Sequence, residues 1–317
     1  MLTKIQHQLL RAWGSTGIAP GWHYQQVENF GARLDKDIVV QAKLPNGLAL
    51  PCNIKDHVQR QIYFHGVYEP IESYLFTRLL EPGMTVIDAG ANIGQYSLLA
   101  SGIVGKMGKV HSFEPIDQTF SILENNILKN NISNVILHQC GLWDSDSSVS
   151  LGLSPEMSDN IGSYSIGVYD GCLKSDVRVV ALDEYRQEAS ISSVDFIKMD
   201  IEGAEYNALL GMQKTVEENQ PIFLIEINLK ALNRLKTSPR KILDYFLEQN
   251  YKGYFIDLSG FRKVTVESIQ TVNQKNAIFL PSLEKYELKI AHMINHDFPL
   301  KEIFQWAMAG YEKNRCL

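Results

Sequence analysis

Between Val86 and Ser97 the chain reads VIDAGANIGQYS: an apolar run ends in Asp88, and Gly90 and Gly94 follow, four apart. Glycine lets backbone approach a ligand closely, and a helix that opens after such a turn points unpaired N–H groups at an anion. Glu114, in KVHSFEP, stands 20 residues beyond Gly94 and ends a second apolar run. A carboxylate in that place accepts hydrogen bonds from both hydroxyls of a ribose. Together the two features describe a ligand that contains adenosine. The turn reads G-x-N-x-G, without the middle glycine that admits a pyrophosphate, so it is no nicotinamide fingerprint. S-adenosylmethionine has no phosphate. Its carboxylate suits the helix end, and its sulfonium gives nearby acids such as Asp88 a physical reason to exist.

Two more strand ends carry chemistry. One is Lys198-Met-Asp200-Ile-Glu202-Gly-Ala-Glu205, the other Glu226-Ile-Asn228. Neighbouring strands of a parallel sheet lie about 5 Å apart, so Asp200 and Glu226 are expected to face one crevice. The two-residue period of a strand puts Lys198 on the side of Asp200, where it pairs with Asp200 or Glu226. Glu202 and Glu205 fall on the opening turn of a helix and complement its dipole there. If a hydroxyl bound in this crevice is to act as a nucleophile, it must lose its proton. Glu202 or Asp200 is the expected base, with Glu226, Asn228 and Lys198 orienting the acceptor. No metal is favoured; the alternative is Mg²⁺ held by the oxygens of Asp200, Glu226 and Asn228. His65, His111 and His138 are expected to be structural.

The elements that must position these groups are legible in the periodicity. The 317 residues, 45% hydrophobic and 10% aromatic, are enough for a full core. Thirty basic against 36 acidic residues give a formal charge of -6 without like-charge blocks, which argues against a nucleic-acid surface and for a small-molecule partner. No apolar run approaches the roughly 20 residues of a membrane span, and the first residues lack the apolar run and cleavage site of a signal peptide. Cys52, Cys140, Cys172 and Cys316 are too scattered for a zinc site or a disulfide framework, so a cytoplasmic location is expected.

Residues 1–66 read as a helix followed by a β-hairpin, with Asn46-Gly47 supplying the positive φ of its turn. Residues 67–281 alternate short apolar strands with helices, the pattern of a sheet covered on both faces. The strands are TVIDAG, KVHSF, VILH, DFIKMD, IFLIEI, GYFID and AIFLP. Asp117 is the expected N-cap of the helix after the second strand, while Pro239 and Gly253 bracket a later helix. Residues 282–317 read as a helical tail, docked on the domain or on a second copy in a homodimer. The long Gly/Ser-rich stretch between the third and fourth strands, with Asn160, Ser163, Tyr164 and Tyr169, is expected to be a lid that contacts a sugar or polyol.

VIDAGANIGQYSLLAS, VHSFEPIDQTFSILENNILKNN, SVDFIKMDIEGAEYNALLGM and IFLIEIN closely resemble the FkbM-type family of S-adenosylmethionine-dependent methyltransferases, over roughly Val67 to Asp257. The resemblance implies a Rossmann-like α/β fold, a seven-stranded methyltransferase sheet whose last strand is inserted antiparallel. It also implies methyl transfer, usually to an oxygen of a sugar or a natural product; a carboxylate or nitrogen acceptor, or a non-catalytic cofactor-binding module, is the alternative. By the same resemblance Asp88, Gly90, Asn92 and Gly94 form the methionine-side loop and Glu114 is the ribose acid. Ile116 lies against the adenine, Cys140 and Gly141 lie near its amine, and Tyr68 and Glu69 of GVYEP close over the cofactor.

Overall fold

The computed structural model describes residues 2–14, 16, 18–153, 160–162, 164–166, 173–283, 286, 288, 290, 291, 294 and 296–312. Its strands are β1 (Val39–Lys43), β2 (Ala49–Asn53), β3 (Thr85–Ala89), β4 (Lys109–Phe113), β5 (Val135–His138), β6 (Gly141–Leu142), β7 (Ser147–Leu153), β8 (Ser165–Ile166), β9 (Leu173–Val180), β10 (Phe196–Met199), β11 (Ile222–Asn228), β12 (Tyr251–Asp257), β13 (Gly260–Lys263) and β14 (Gln274–Pro281). The helices are α1 (Leu2–Gly14), α2 (Pro20–Gly31), α3 (His57–His65), α4 (Pro70–Leu79), α5 (Gln95–Val104), α6 (Asp117–Lys129), α7 (Leu182–Glu188), α8 (Glu205–Leu210), α9 (Gln213–Asn219), α10 (Leu229–Arg234), α11 (Pro239–Glu248), α12 (Val266–Gln270) and α13 (Leu300–Glu312).

The main sheet runs β13-β12-β14-β11-β10-β3-β4-β5. β11, β10, β3, β4 and β5 are parallel, and β14 enters antiparallel between β11 and β12. The seven expected strands are all present, and β13, folded back on β12, makes an eighth. Alternation sorts the strand side chains onto two faces. Val86, Val110, Phe196 and Leu224 join one core cluster, and Ile87, Phe113, Ile197 and Ile225 join the other. Asp88, Lys198 and Leu224 share a row across three strands. Lys198 and Asp88 therefore lie on the first face, close to the strand ends.

Several local expectations change. In the β1–β2 turn only Gly47 has positive φ (88°); Gly47 N–H donates to Leu44 O at 2.8 Å and Leu44 N–H to Leu48 O at 2.9 Å. This is a three-residue loop with glycine in the left-handed place rather than a two-residue turn. Ile116, not Asp117, is the cap residue of α6; Asp117 is its first residue and helps through its charge. Gly253 lies inside β12 instead of closing α11, because the Phe279 ring fills the space of a side chain there: an added Cβ would be 2.5 Å from it. Ser238 caps the start of α11 through Lys241 N–H.

The stretch after β5 builds a second, four-stranded sheet in the order β6-β9-β7-β8. At the other end of the chain α13 docks on the protein's own α4. Trp306 meets Tyr74 edge-on at 5.4 Å, and Gly66 passes so close to the Ala307 carbonyl that a Cβ would lie 2.0 Å from it. Among the described residues no helix is long and apolar enough to cross a membrane.

Candidate functional site

After β3 the chain turns sharply at Gly90 (φ 75°), where an added Cβ would stand 2.0 Å from the Asp200 carbonyl. Only glycine fits a left-handed position in contact with a second backbone. The N–H groups of Gly90 and Ala91 both donate to Phe113 O at 3.0 Å, tying the turn to the end of β4. Asn92 N–H donates to Glu114 Oε2 and Ile116 N–H to Glu114 Oε1, each at 3.0 Å. Burial pushes the Glu114 carboxyl up to about 7 although both N–H bonds oppose this. Each of its oxygens still has a lone pair for a ligand hydroxyl.

Glu114 stands where two cavities meet. The larger, about 370 Å³, is lined by the turn residues Gly90 to Ile93, by Lys198, Asp200, Glu202, Glu226 and Asn228, and by His57 and Tyr68 opposite. The smaller, about 70 Å³, is an apolar slot between Ile116, Gly141, Leu142, Trp143 and Val177. Gly90, Glu114, Asp200, Glu202 and Gly162 border both.

On the far side of the turn, Lys198 is 5% exposed; its Nζ donates to Gly90 O at 3.3 Å, lies 3.6 Å from Asp200 Oδ2 and sits over the Tyr96 ring at 4.9 Å. Burial alone would lower its pKa, but Asp200, Asp88, Glu69 and Glu226 together hold it above its ordinary value. Lys198 is therefore a cation that neutralises part of an acidic cavity, and it cannot serve as a neutral amine base. Burial, then Asp200 and Glu226, pushes Glu202 well up; burial, then Asp200, does the same to Glu226. Glu226 Oε1 accepts from Gln274 Nε2 at 2.6 Å. Glu205 is buried, and its Oε1 accepts from the N–H groups of Ile201 and Gly203, both at 3.1 Å. It shapes the loop that carries Asp200 and Glu202, and it stands on the opening turn of α8, where the sequence reading put it.

The acids of the first turn are placed differently from the sequence expectation. Asp88 is fully buried below the turn, outside both cavity linings; its Oδ2 accepts from Ser97 Oγ at 2.6 Å while Oδ1 has no hydrogen-bond partner. Glu69 (φ 49°) accepts from Asn276 Nδ2 at 2.8 Å and Tyr96 Oη at 3.3 Å, and lines an adjoining groove of about 380 Å³ with Glu72 and Glu226. Cys140 lines neither cavity. It is buried in the second core cluster beside Tyr185. Asn228 does line the larger cavity, but its Oδ1 accepts from Ala231 N–H at 3.2 Å and caps α10. For Mg²⁺ the set Asp200, Glu226 and Asn228 fits poorly, since Ala231, Gln274 and the Lys198 cation already occupy or neutralise its oxygens. Among the described residues no group of three or more His, Cys, Asp or Glu suits a metal ion.

The insertion borders both cavities. Asn160 and Gly162 line the larger cavity, Tyr164 the slot; Ser163 and Tyr169 lie outside the described residues. Ile161 N–H donates to Asp56 Oδ2 at 3.0 Å, and Asp56 Oδ1 also caps α3 through Gln59 N–H at 2.9 Å. The insertion is thereby fastened to the N-terminal section across the mouth of the cavity.

Sequence reasoning missed His57, Val58 and Ile62 of α3, Gln95 and Tyr96 of α5, and Gln274 of β14, all of which line the larger cavity. Gln95 holds Tyr68 by both backbone groups, accepting from its N–H at 2.6 Å and donating to its carbonyl at 3.0 Å. Gln274 had a signal: it begins the antiparallel strand and pairs with Asn228, but its polar neighbours obscured the start of that strand. The histidines set aside are structural in position: His111 and His138 bond each other at 3.0 Å, and His65 bonds His23 at 2.8 Å, all four buried.

Residues 88–252, just over half of the chain, match the model of the Methyltransferase FkbM domain. Methyltransferase 1 of Beauveria bassiana (strain ARSEF 2860) is 30% identical over 144 residues, covering 40% of this chain and 57% of that protein. Methyltransferase sdnD of Sordaria araneosa is 27% identical over 157 residues, 41% of this chain and 60% of that protein. The match thus spans less than two thirds of either fungal protein. The 31-O-demethyl-FK506 methyltransferase FkbM of Streptomyces tacrolimicus is 25% identical over 212 residues, 56% of this chain and 77% of that one. A solved structure, methyltransferase FkbM from Methylobacillus flagellatus KT, aligns over 81% of this chain and 57% of its own at 19% identity and a TM-score of 0.44. Carrying the family's domain over residues 88–252, this chain belongs to the FkbM methyltransferase family.

Proposed function

We propose that the protein is an S-adenosylmethionine-dependent O-methyltransferase acting on a hydroxyl of a small acceptor, a sugar unit or a secondary metabolite. The observation that carries this reading is Glu114, gripped by two backbone N–H groups at the seam between a polar cavity and an apolar slot. A ribose bound there leaves its base to the slot beside Ile116 and Gly141, and its amino-acid arm to the turn at Gly90–Asn92. Membership of the FkbM family supports the same cofactor. The Streptomyces relative's name specifies a 31-O acceptor, which supports oxygen as the target here.

S-adenosylmethionine supplies a methyl group on a positively charged sulfur. Around that position the chain gathers Asp200, Glu202 and Glu226 against a single lysine, Lys198. Burial first and neighbouring acids second raise the Glu202 and Glu226 carboxyls, and an arriving cation lowers them again, so the cavity complements the charged sulfur better than its neutral product. Asn228, Gln274 and the Glu226 carboxyl offer hydrogen bonds that orient a polyol, and Asn160 reaches in from the insertion.

The test has two parts. S-adenosylhomocysteine at 100 times its Kd should stabilise the protein by about 2.7 kcal/mol, seen as a rise in Tm, while NAD should give none. Labelled methyl from S-adenosylmethionine should then appear on oxygen of one member of a panel of sugars and hydroxylated macrocycles. No shift with S-adenosylhomocysteine ends the cofactor reading; label on nitrogen or carboxylate ends the hydroxyl reading.

A further inference from the structure

The wall of the larger cavity that faces the glycine turn comes from the N-terminal section, and its one titratable side chain from α3 is His57. His57 Nδ1 lies 3.1 Å from Glu28 Oε2 of α2. Glu28 also accepts from Arg60 Nη2 at 2.7 Å and from Gln61. Burial would raise the Glu28 carboxyl, but the bonds from His57 and Arg60 outweigh it and hold it at about 2. Glu28 is thus an anion that only accepts, which makes Nδ1 the protonated nitrogen of the neutral ring. The lone pair is left on Nε2. The His57 side chain is 25% exposed, and among the described residues Nε2 has no hydrogen-bond partner. Its ring meets the Tyr68 ring edge-on at 6.2 Å, and Asp200 and Glu226 are close enough to Tyr68 to raise its phenol, after burial and Glu69. His57 therefore borders the acidic centre without belonging to its crowd of carboxyls.

We infer that His57 is the general base that takes the proton of the acceptor hydroxyl, with Glu28 as its positioning residue. The inference rests on the methyl-transfer reading above. It displaces Asp200 and Glu202 from the role of base: Asp200 faces Lys198 at 3.6 Å, and Glu202 is crowded by Asp200 and Glu226. In the step, the bond from acceptor oxygen to methyl forms as the sulfur–methyl bond breaks, and the sulfonium becomes a neutral thioether. The hydroxyl proton passes to His57 Nε2, Glu28 balances the imidazolium, and the exposed ring edge returns the proton to water. The charged and titratable groups around the ring are Glu28 and Tyr24 on α2, Asp56 at the cap of α3, Arg60 on α3, and Tyr68 before α4.

The experiment uses the full chain, S-adenosylmethionine and the panel acceptor that becomes labelled. His57→Asn should lower kcat about 10²–10⁴-fold while calorimetric binding of S-adenosylhomocysteine stays within twofold of the wild type. Glu28→Gln should shift the acidic limb of the kcat–pH profile, a change that loss of packing alone would not produce. ¹⁵N spectra of histidine-labelled wild-type protein should show the neutral His57 ring protonated on Nδ1. If His57→Asn misfolds, His57→Gln and these spectra carry the test. Unchanged kcat in a folded His57 variant, or a proton on Nε2, overturns the inference and leaves methyl transfer standing. Absent S-adenosylhomocysteine binding in the wild type overturns methyl transfer itself, and this inference with it.

Discussion

Glu114 closes the glycine turn through Asn92 and also lines the cavity, so the proposed ribose contact would draw on a carboxylate that already holds the loop. Glu114→Gln replaces an anionic acceptor of two backbone bonds by a neutral amide. Charge-assisted bonds are worth about 1.5–3 kcal/mol, so S-adenosylhomocysteine should bind roughly 10–150-fold more weakly by calorimetry. The same residue gives a pH signature. Its folded pKa, about 7, exceeds the ordinary 4.5, so between those values the empty native protein binds more protons than the unfolded chain. Stability from this group is then complete below pH 4.5 and is lost as pH rises towards 7. S-adenosylmethionine binding at pH 7 should accordingly release protons, read as a buffer-dependent heat, and the sulfur-neutral homocysteine compound should release fewer. Equal release would remove the complementarity to a cation.

Two joints between elements are open to test. Gly90→Ala would push a Cβ into the Asp200 carbonyl from a left-handed backbone position. It should lower Tm and, on the proposed cofactor reading, abolish S-adenosylhomocysteine binding together, because it parts the glycine turn from the loop that carries Asp200. Asp56→Ala removes the cap of α3 and the tether of Ile161. A lost N-cap costs about 1 kcal/mol, so Tm should fall modestly, whereas the acceptor KM should rise with cofactor affinity held. Most strands were legible at this scale because buried parallel strands are short apolar runs ending in polar residues. Gly253 was misplaced because the filling of its missing side chain by Phe279 is a contact between strands, invisible in a local pattern.

For the molecule as a whole, the first core cluster draws on all three sections of the chain: Leu10 and Phe30, then Phe76 and Phe196, then Ile303 and Ala307. The tail is therefore part of the same core as the first face of the main sheet. Ile303 is fully buried, and Ile303→Ala should cost about 2–5 kcal/mol in denaturant unfolding. The loss should appear as one cooperative transition if that shared core folds as a unit; a separate early transition would show that the tail unfolds alone.

By itself the sequence determined the strand ends and the polar groups they bring to one cavity: the turn at Gly90, Glu114, and the acids Asp200, Glu202 and Glu226. Local alternation and glycine spacing encode such features within a few residues. Only the tertiary structure decided which distant segments complete the cavity, since Asp56 meets Ile161 across 105 positions and Gln274 meets Glu226 across 48. It also decided charge. Glu114, Glu202 and Glu226 bind their protons more tightly than free carboxyls, and Lys198 more tightly than a free amine, because burial and neighbours from other strands set the energy of an ionised group, and no linear pattern states who those neighbours are.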